Sequence, residues 1–452
     1  MTAVERPQSP PIILRRVRLA DLDVAARASI VDRSTSATPE LRAKVRGIVE
    51  EVALGGDEAV RSANQRFGGG LPAISGERVP LTLDRAALRA ARDALPAALR
   101  EALSHMARNI ERFHAAQVPP PERWVEIGPG IRVGRLWRAL DRVAAYVPGG
   151  TAAYPSSLLM SAIPARLAGV REFVVASPAG REGTLSPALL GAAGLMEVDE
   201  LVVTGGAQAV AALAYGTESI RAVDKIVGPG NAWVTTAKLE VFGRVAIDMP
   251  AGPSEVMVVD DDSADPGHVA ADLLSQAEHG SDSPAILVTP SARLARLVAE
   301  AVARQLPTLP RQSELHASLA SAGLIIETGT LDEAFEFVND YAPEHLSVVV
   351  EDLDAAQAAI RHAGSLFLGT YAPESAGDYA TGSNHVLPTG RLARAYGALS
   401  VESFGKWLQV QRVTRDGLAS VRDTVATVAE AEGLSAHRRA VEVRFETEVR
   451  ES

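Results

Sequence analysis

Apolar residues recur at three- and four-residue spacings through much of the first third of the chain. The pattern covers residues 20–30, 40–67 and 83–117, which are also rich in Ala, Leu, Arg and Glu. Because this spacing puts apolar side chains on one face of a helix, and these residue types favour helices, we predict that the three segments are helical. The pattern changes at residues 124–148, where short apolar runs between Gly and Pro predict strands joined by tight turns.

From residue 146 onward, short apolar runs that end near Gly or Pro alternate with helical patterns. One series of predicted strands covers residues 171–177, 200–206, 225–228 and 245–248, and a second covers residues 255–259, 284–288, 323–327 and 346–350. Predicted helices lie between them, among them residues 266–276 and 292–305. This alternation is typical of parallel sheets, so the two series predict two α/β domains with largely parallel sheets. Residues 249–253, which contain Pro and Gly, are the expected crossing between them.

Two later segments differ from this pattern. Residues 371–389 are rich in Gly, Ser, Asp, Asn and Tyr and have little periodicity, which predicts a long connection of the kind that is often functional. Residues 414–449 predict two helices that are broken at 432–435. This tail is too small to bury a core of its own, so we expect it to pack on another surface, with a second subunit as one candidate.

Composition and charge narrow the class of protein. The chain has 452 residues, 47% of them hydrophobic and 22% charged, as is ordinary for a globular enzyme. Its net charge of −11 argues against nucleic acid or an anionic membrane as the main partner, because both attract clustered positive charge. Residues 1–11 lack the apolar core of a secretory signal, and no stretch reaches the roughly 18 apolar residues of a membrane span. We therefore expect a cytoplasmic protein.

The chain contains no Cys, so His, Asp, Glu, Gln or water must supply any metal ligand or nucleophile. In the cluster QAEHG at 276–280, Gln276 and His279 stand three apart at an expected helix end and would share one face. They offer a metal an amide oxygen and an imidazole nitrogen, although a helix cap beside an exposed His explains the same spacing. Asp378, which a turn would also explain, and His437 are further candidate ligands, and such a mixed set suits Zn²⁺ or Mn²⁺.

A second polar cluster, APEH at 342–345, directly precedes a predicted strand. This position at a sheet edge is where α/β proteins tend to keep their ligand crevice. His345 is a candidate general base, because imidazole titrates near neutral pH, and Glu344 is a candidate for orienting a water. A surface Glu–His pair in a loop fits the same residues. His385 and Glu432 are further candidates for the site.

Two Gly-containing motifs are candidates for binding a cofactor. GGAQ at 205–208 and GPGN at 228–231 each follow a predicted strand and open a helix. Gly lets a ligand approach the backbone, and a helix N-terminus favours phosphate. Neither motif has the GxGxxG spacing of the dinucleotide fingerprint, and two ordinary strand-to-helix turns would look the same.

Taken in order, these segments resemble the histidinol dehydrogenase family, zinc enzymes that end histidine biosynthesis. The resemblance covers nearly the whole chain. The motifs that carry it are YVPGG (146–150), PSS (155–157), GGAQ (205–208), GPGN (228–231), AGPSE (251–255), QAEHG (276–280), NDYAPEH (339–345), ESAGD (374–378), NHVLPT (384–389) and EGLSAH (432–437).

The resemblance implies a role for each matching position. The zinc ligands that it implies are Gln276, His279, Asp378 and His437, the last supplied by the partner subunit of a homodimer. The implied catalytic groups are Glu344, which activates water, and His345, which moves protons. The implied substrate-binding residues are Ser254, Gln276, His279, His345, Asp378, His385, Glu432 and His437. The implied NAD contacts are Tyr146, Gln208 and Asn231.

The implied fold is α/β, with two incomplete Rossmann-like domains of largely parallel sheets and small helical N- and C-terminal pieces. Residues 1–39 would form the N-terminal segment, and 40–145 with 254–400 a first domain that carries most of the metal and catalytic site. Residues 146–253 would form the second domain, with the NAD contacts. Residues 401–452 would form the C-terminal helical piece that reaches the partner subunit.

The implied activity is the zinc-dependent, four-electron oxidation of L-histidinol to L-histidine, through histidinal and its gem-diol, with reduction of two NAD. Since the chain has no Cys, a thiohemiacetal is excluded, and water activated by Glu344 would make the gem-diol. One alternative is a related zinc and NAD enzyme that oxidises another small alcohol, such as a sulfonated diol. Another is a zinc hydrolase without NAD. Glu432, His437 and His385 together favour histidinol, since they would flank an amine that carries an imidazole.

Overall fold

The computed structural model describes residues 14–33, 37–72, 79–149, 154–180 and 182–446. The chain divides into two compact units, one formed by Met1–Gln117 and Leu140–Phe404 and the other by Val118–Ala139 and Gly405–Ser452. Residues 1–11, on which the expectation of no secretory signal rests, and Gly150 of the YVPGG motif lie outside the described residues.

The strands are, in chain order, β1 (Arg15–Arg18), β2 (Thr82–Asp84), β3 (Glu122–Gly128), β4 (Ile131–Ala139), β5 (Arg142–Tyr146), β6 (Glu172–Ser177), β7 (Glu200–Val203), β8 (Lys225–Val227), β9 (Ala246–Ile247), β10 (Val256–Asp260), β11 (Ala285–Thr289), β12 (Gly323–Glu327), β13 (His345–Val349), β14 (Ser365–Leu368) and β15 (Gly405–Val413). The helices are α1 (Val24–Val31), α2 (Pro39–Phe67), α3 (Arg85–Asp93), α4 (Ala97–Ala115), α5 (Pro155–Ala168), α6 (Pro187–Leu195), α7 (Gly206–Tyr215), α8 (Ala232–Val241), α9 (Pro266–Ala277), α10 (Ala292–Gln305), α11 (Gln312–Ala322), α12 (Leu331–Tyr341), α13 (Leu353–Ala359), α14 (Glu374–Tyr379), α15 (Arg415–Ala431) and α16 (Ser435–Glu442).

Sheet A consists of six described strands in the order β1-β12-β11-β10-β13-β14, and its neighbouring strands are parallel. Strand β1 forms one edge, and from the central β10 the chain adds β11 and β12 on that side and returns to β13 and β14 on the other. Alternate residues of β10 face two apolar cores, one shared with α9, α10 and α11 and the other with α12. Burial on both faces explains why these strands read as continuous apolar runs. Strand β1 was not predicted, since RRVR contains one apolar residue.

Sheet B consists of six described strands in the order β2-β7-β6-β5-β8-β9, all parallel except β2. It repeats the winding of sheet A, with β5 at the centre. Helices α2, α7 and α8 share an apolar core with its strands, while the largely buried α5 contacts β5 and β6. The expected division placed residues 40–145 with residues 254–400. In the structure, α2 and β5 of that stretch belong with sheet B, because the apolar side chains of α2 pack into its core.

Sheet C, in the order β15-β4-β3, is antiparallel and belongs to the second unit together with α15 and α16. The predicted strands β3 and β4 and the helix break at residues 432–435 are confirmed, whereas β15 was not predicted. Trp137 and Trp407 pair across β4 and β15 with ring centroids 5.5 Å apart. Few described side chains of this unit are buried, the apolar ones being Pro119, Ile131 and Ala429.

The expected α/β class with largely parallel sheets is confirmed. Within residues 371–389, expected to be a connection without regular structure, the chain forms the short helix α14. The predicted helix at 83–117 is divided into α3 and α4, and Pro96 directly precedes α4. Of the helices that the structure describes, none combines the length and the apolar character that crossing a membrane requires.

Candidate active site

Glu344 and His345 lie at the amino end of β13, beside Ser254 and Glu255 at the amino end of β10. Ala342, in the left-handed region with φ 52°, ends α12 and is followed by Pro343, which turns the chain into the strand. This is the amino edge of the sheet, as the position of the APEH cluster before its strand predicted, whereas open parallel sheets usually bind ligands at the carboxyl ends of their strands. Helix α9 runs back from the carboxyl end of β10, so its last turn brings Gln276 to the amino edge.

The Glu344 carboxylate is held by the segment before β10. Its Oε2 atom accepts hydrogen bonds from Ser254 Oγ at 2.8 Å and from the Glu255 N–H at 2.9 Å. In return, the Glu344 N–H donates to Glu255 Oε1 at 3.2 Å. The side chain is buried, so these bonds fix its position before any substrate binds.

Glu255 is itself anchored by Arg33, which lies between α1 and α2. Arg33 Nε and one of its terminal nitrogens donate to the two Glu255 oxygens at 2.8 and 3.1 Å, and its guanidinium lies 3.2 Å from the centroid of the Tyr341 ring. Burial raises the pKa of Glu255 to about 7, a rise that Arg33 opposes and Glu344 reinforces. The fork geometry of Arg suits such a buried two-point contact.

His345 is buried among carboxylates. Its Nδ1 lies 3.2 Å from the Glu255 carbonyl oxygen and 3.3 Å from Glu374 Oε1, and its Nε2 lies 3.9 Å from Asp378 Oδ1. Burial alone would lower the pKa of His345, but Glu374, Glu344 and Asp378 outweigh it and raise the pKa well above the ordinary value. These neighbours make His345 a strong proton acceptor.

Glu374 and Asp378 come from α14, four residues apart on the same face of the helix. Glu374 was not among the candidate residues, although the ESAGD motif contains it. A predicted helix over this segment would have placed Glu374 on the same face as Asp378 and so identified it as a candidate. Burial raises the pKa of Glu374 to about 8, and His345 opposes this rise.

Gln276 and His279 flank the end of α9. Gln276 is fully buried, and its Oε1 accepts from Ser254 Oγ at 3.4 Å. His279 lies just beyond α9, which ends at Ala277, and its N–H donates to the Gln276 carbonyl at 3.1 Å. The His279 side chain is exposed to solvent on one side. The protein around its ring still desolvates the imidazole and lowers the pKa of His279, although the charges of Asp378 and Glu344 oppose this shift. The neutral imidazole that binds metals is thereby favoured.

His385 lies on the other side of Asp378. Its Nδ1 is 3.2 Å from the Asp378 carbonyl oxygen, and its Nε2 is 3.1 Å from Ser157 Oγ on α5. The preceding Asn384 is buried and donates to the Met160 carbonyl at 2.8 Å. The PSS and NHVLPT motifs therefore meet in space.

The donor set fits a divalent metal. Ligand atoms of His345, Glu374 and Asp378 lie within 4.8 Å of one another. Three buried atoms of the cluster have no hydrogen-bond partner among the described residues: Gln276 Nε2, His345 Nε2 and Glu374 Oε2. Buried polar atoms rarely lack partners without a functional reason, and this mixed nitrogen and oxygen set suits Zn²⁺ or Mn²⁺.

Tyr146, Gln208 and Asn231 lie around the carboxyl edge of sheet B, where the winding reverses between β5 and β8. This reversal is where doubly wound sheets bind nucleotides. Tyr146 ends β5, and its hydroxyl accepts from the Gly206 N–H at 3.2 Å. Asn231 Oδ1 caps α8, while Gln208 is buried on α7 and donates to Asn64 Oδ1 at 3.3 Å.

Glu432 and His437 belong to the second unit. Glu432 caps the end of α15, His437 lies in the first turn of α16, and both side chains are exposed. Contacts within a single chain thus bring together Ser254, Gln276, Glu344, His345, Asp378 and His385, all of which belong to the first unit.

Comparisons with known proteins match this arrangement of motifs. The sequence profile of the histidinol dehydrogenase family matches residues 31–445. The chain belongs to the histidinol dehydrogenase family. This result confirms the family resemblance that was inferred from the sequence motifs.

Relatives named histidinol dehydrogenase are similar along nearly their whole length. The one from Methanothermobacter thermautotrophicus is 43% identical over 422 residues, which cover 93% of this chain and 97% of the relative. The one from Gluconobacter oxydans is 47% identical over 424 residues, 94% of this chain and 95% of the relative. The crystal structure of histidinol dehydrogenase from Elizabethkingia anophelis matches with a TM-score of 0.88 at 36% identity and covers 96% of this chain and 98% of that one.

Proposed function

We propose that the protein oxidises L-histidinol to L-histidine in two NAD-dependent steps, as the last reaction of histidine biosynthesis, in the cytoplasm. The observation that carries this proposal is the buried Glu344–His345 pair, which lies beside Gln276, Asp378 and Glu374 in a chain of this family. The chemistry passes through histidinal and its gem-diol. A hydrolase would use a similar water-activating carboxylate but would not need a nucleotide site at the carboxyl edge of sheet B.

The residues proposed to hold zinc are Gln276, His279, Asp378 and, from the partner subunit, His437. When bound, zinc would polarise and orient the amino alcohol, and NAD would accept the hydride. The residues proposed to hold the substrate are those zinc ligands together with Ser254, His345, His385 and Glu432. Tyr146, Gln208 and Asn231 are proposed to contact NAD.

The two catalytic residues divide the proton transfers. His345 accepts the proton of the substrate hydroxyl in the first oxidation, because its Nε2 is the ring nitrogen without a partner among the described residues. Glu344 accepts a proton from the water that adds to the aldehyde. Ser254 and the Glu255 N–H hold one Glu344 oxygen and leave the other to face that water. After it has released the first proton to solvent, His345 accepts a proton from the gem-diol in the second oxidation.

The second unit supports a homodimer with shared active sites. Val125, Ile127, Leu408 and Leu434 are exposed large apolar side chains on this small unit, which buries little of its own. Such a surface favours burial against another chain. We propose that Glu432 and His437 reach the active site of the partner subunit.

Mixing two inactive variants tests this sharing. With Glu344→Gln in one chain and His437→Ala in the other, a heterodimer contains one site with both residues intact only if His437 comes from the partner. Random mixing should then restore about one quarter of wild-type activity. No restoration, with heterodimers shown by mass spectrometry, would place His437 in its own chain's site.

Counting the NADH formed from limiting L-histidinol with excess NAD tests the reaction. Two NADH per histidinol are expected. A single NADH would limit the enzyme to the alcohol step, and none, with NAD binding intact, would favour the alternative of another small alcohol, such as a sulfonated diol. Failure to bind NAD would favour the hydrolase.

A further inference from the structure

A buried ion pair lies beneath the carboxyl edge of sheet B. Lys238 is on α8, Asp248 directly follows β9, and each side chain is 2% exposed. A buried Lys is rare unless it is paired, and apolar residues of similar volume usually give equal or greater stability. Stability alone therefore does not explain why charged groups occupy this position.

The pair holds both backbone polar groups of one residue of the GPGN motif, Gly228. The Gly228 N–H donates to Asp248 Oδ2 at 2.7 Å, and the Gly228 carbonyl accepts from Lys238 Nζ at 3.0 Å. Gly228 has φ +101°, and a Cβ there would collide with the Tyr146 carbonyl oxygen. The backbone of Gly228 thus packs directly against the end of β5, at the reversal of winding.

The same pair also holds the start of residues 249–253. The Met249 N–H donates to Asp248 Oδ1 at 2.7 Å, and Lys238 Nζ donates to the Met249 carbonyl at 3.1 Å. Further along, Thr235 on α8 donates to the Ala251 carbonyl at 2.6 Å. The segment then leads to Ser254, which binds Glu344.

We propose that Lys238 and Asp248 form a positioning pair that fixes the Gly228 turn for NAD and ties this turn to the segment that carries Ser254. The proposal rests on the proposed function, because it needs NAD at this edge. Neither residue touches the reacting atoms. They act on the backbone groups of Gly228 and Met249, which make no hydrogen bonds within a sheet or helix. By bonding to these groups, the ion pair holds the backbone in one fixed orientation.

Two variants separate positioning from stability. Lys238→Met leaves Asp248 buried without its cation and should lower the melting temperature. The double variant Lys238→Met/Asp248→Leu removes both charges and should recover much of that temperature. We expect the NAD dissociation constant, measured by calorimetry, to rise about 10–100-fold in both variants. At saturating NAD and histidinol we expect kcat to fall about tenfold in both, since small misplacements of reacting groups are costly.

Arg142→Met is the matched control. Arg142 is a buried cation at the amino end of β5, paired with Glu172 and with Glu200, at the opposite edge of the same sheet. Its loss should lower the melting temperature but leave the NAD dissociation constant unchanged. Zinc content, measured by metal analysis, should match the wild type in all variants, because neither Lys238 nor Asp248 contacts the proposed ligands.

A double variant that recovers the melting temperature together with wild-type NAD affinity would overturn the positioning role. So would equal loss of NAD affinity in the Arg142→Met control. If the single variant does not fold, the double variant decides. A wild-type protein that does not bind NAD would instead refute the proposed function itself.

Discussion

Oε1 of Glu374 lies 3.3 Å from Nδ1 of His345, and both side chains are buried. The same Nδ1 faces the Glu255 carbonyl oxygen, so two acceptors fix the imidazole from one side. The ring's other nitrogen therefore faces Asp378. This arrangement resembles the carboxylate–histidine contacts that orient an imidazole and set its basicity.

Glu374→Gln should lower kcat about 10–100-fold, because it replaces the carboxyl group that orients the His345 imidazole with an amide of the same shape. The KM for NAD should not change, since sheet B is untouched. Steady-state kinetics with both substrates varied, together with zinc analysis, measure these effects. Wild-type kcat with normal zinc content would show that the contact does not support catalysis.

Glu344→Gln should harm the oxidation of histidinal more than that of histidinol. The amide oxygen can still accept from Ser254 Oγ and the Glu255 N–H, so the fold should be kept. The amide cannot take a proton from water, however, and loss of a general base typically costs about 10²–10⁴-fold in rate. Single-turnover assays started from each substrate compare the two steps. Equal loss in both would contradict the division of roles between Glu344 and His345.

Metal removal should abolish activity, and added Zn²⁺ or Mn²⁺ should restore it. Gln276→Ala should weaken zinc binding, because it removes a fully buried donor at the centre of the proposed set. Dialysis against a chelator, followed by metal analysis and activity assays, tests both statements. Within the part of the chain that the structure describes, the hydroxyl of Ser275, the neighbour of Gln276, bonds only to the Asp272 carbonyl of its own helix, and Ser275→Ala is the control. Full activity in a metal-free sample would exclude the metal site.

His114 should make the stability depend on pH. Its Nδ1 lies 2.8 Å from the Ile110 carbonyl oxygen, so Nδ1–H donates there and Nε2 accepts from Asn384 Nδ2 at 3.3 Å. Burial lowers the pKa of His114, and hydrogen bonds to the backbone oppose the shift. The unfolded chain therefore binds this proton more readily, and the stabilisation is lost as pH falls below the unfolded value of about 6.5.

The variant His114→Gln lacks this titration. As the pH is lowered from about 7.5 to about 5.5, the difference in unfolding free energy between wild type and variant should become smaller. Urea titrations at the two pH values measure it. A constant difference would show that His114 binds its proton equally in the folded and unfolded chains.

Much of the local structure follows from short-range patterns. The strands β6 to β8 and β10 to β13 and the helices α9 and α10 lie close to their predicted limits, because strands buried on both faces and helices with one apolar face leave clear patterns. Strand β1 and helix α14 were missed. Their residues are mostly polar, and tertiary contacts rather than local pattern determine their conformation.

The sequence by itself determined the α/β class, the order of the motifs and the family, and, through the absence of Cys, the exclusion of thiol chemistry. Only the tertiary structure placed Glu374 beside His345, Arg33 on Glu255, and Lys238 and Asp248 around Gly228. It also placed the Glu344–His345 pair at the amino edge of its sheet. Such relationships join residues far apart in the chain, and they depend on how the chain winds back through each sheet, which no local pattern of residues contains.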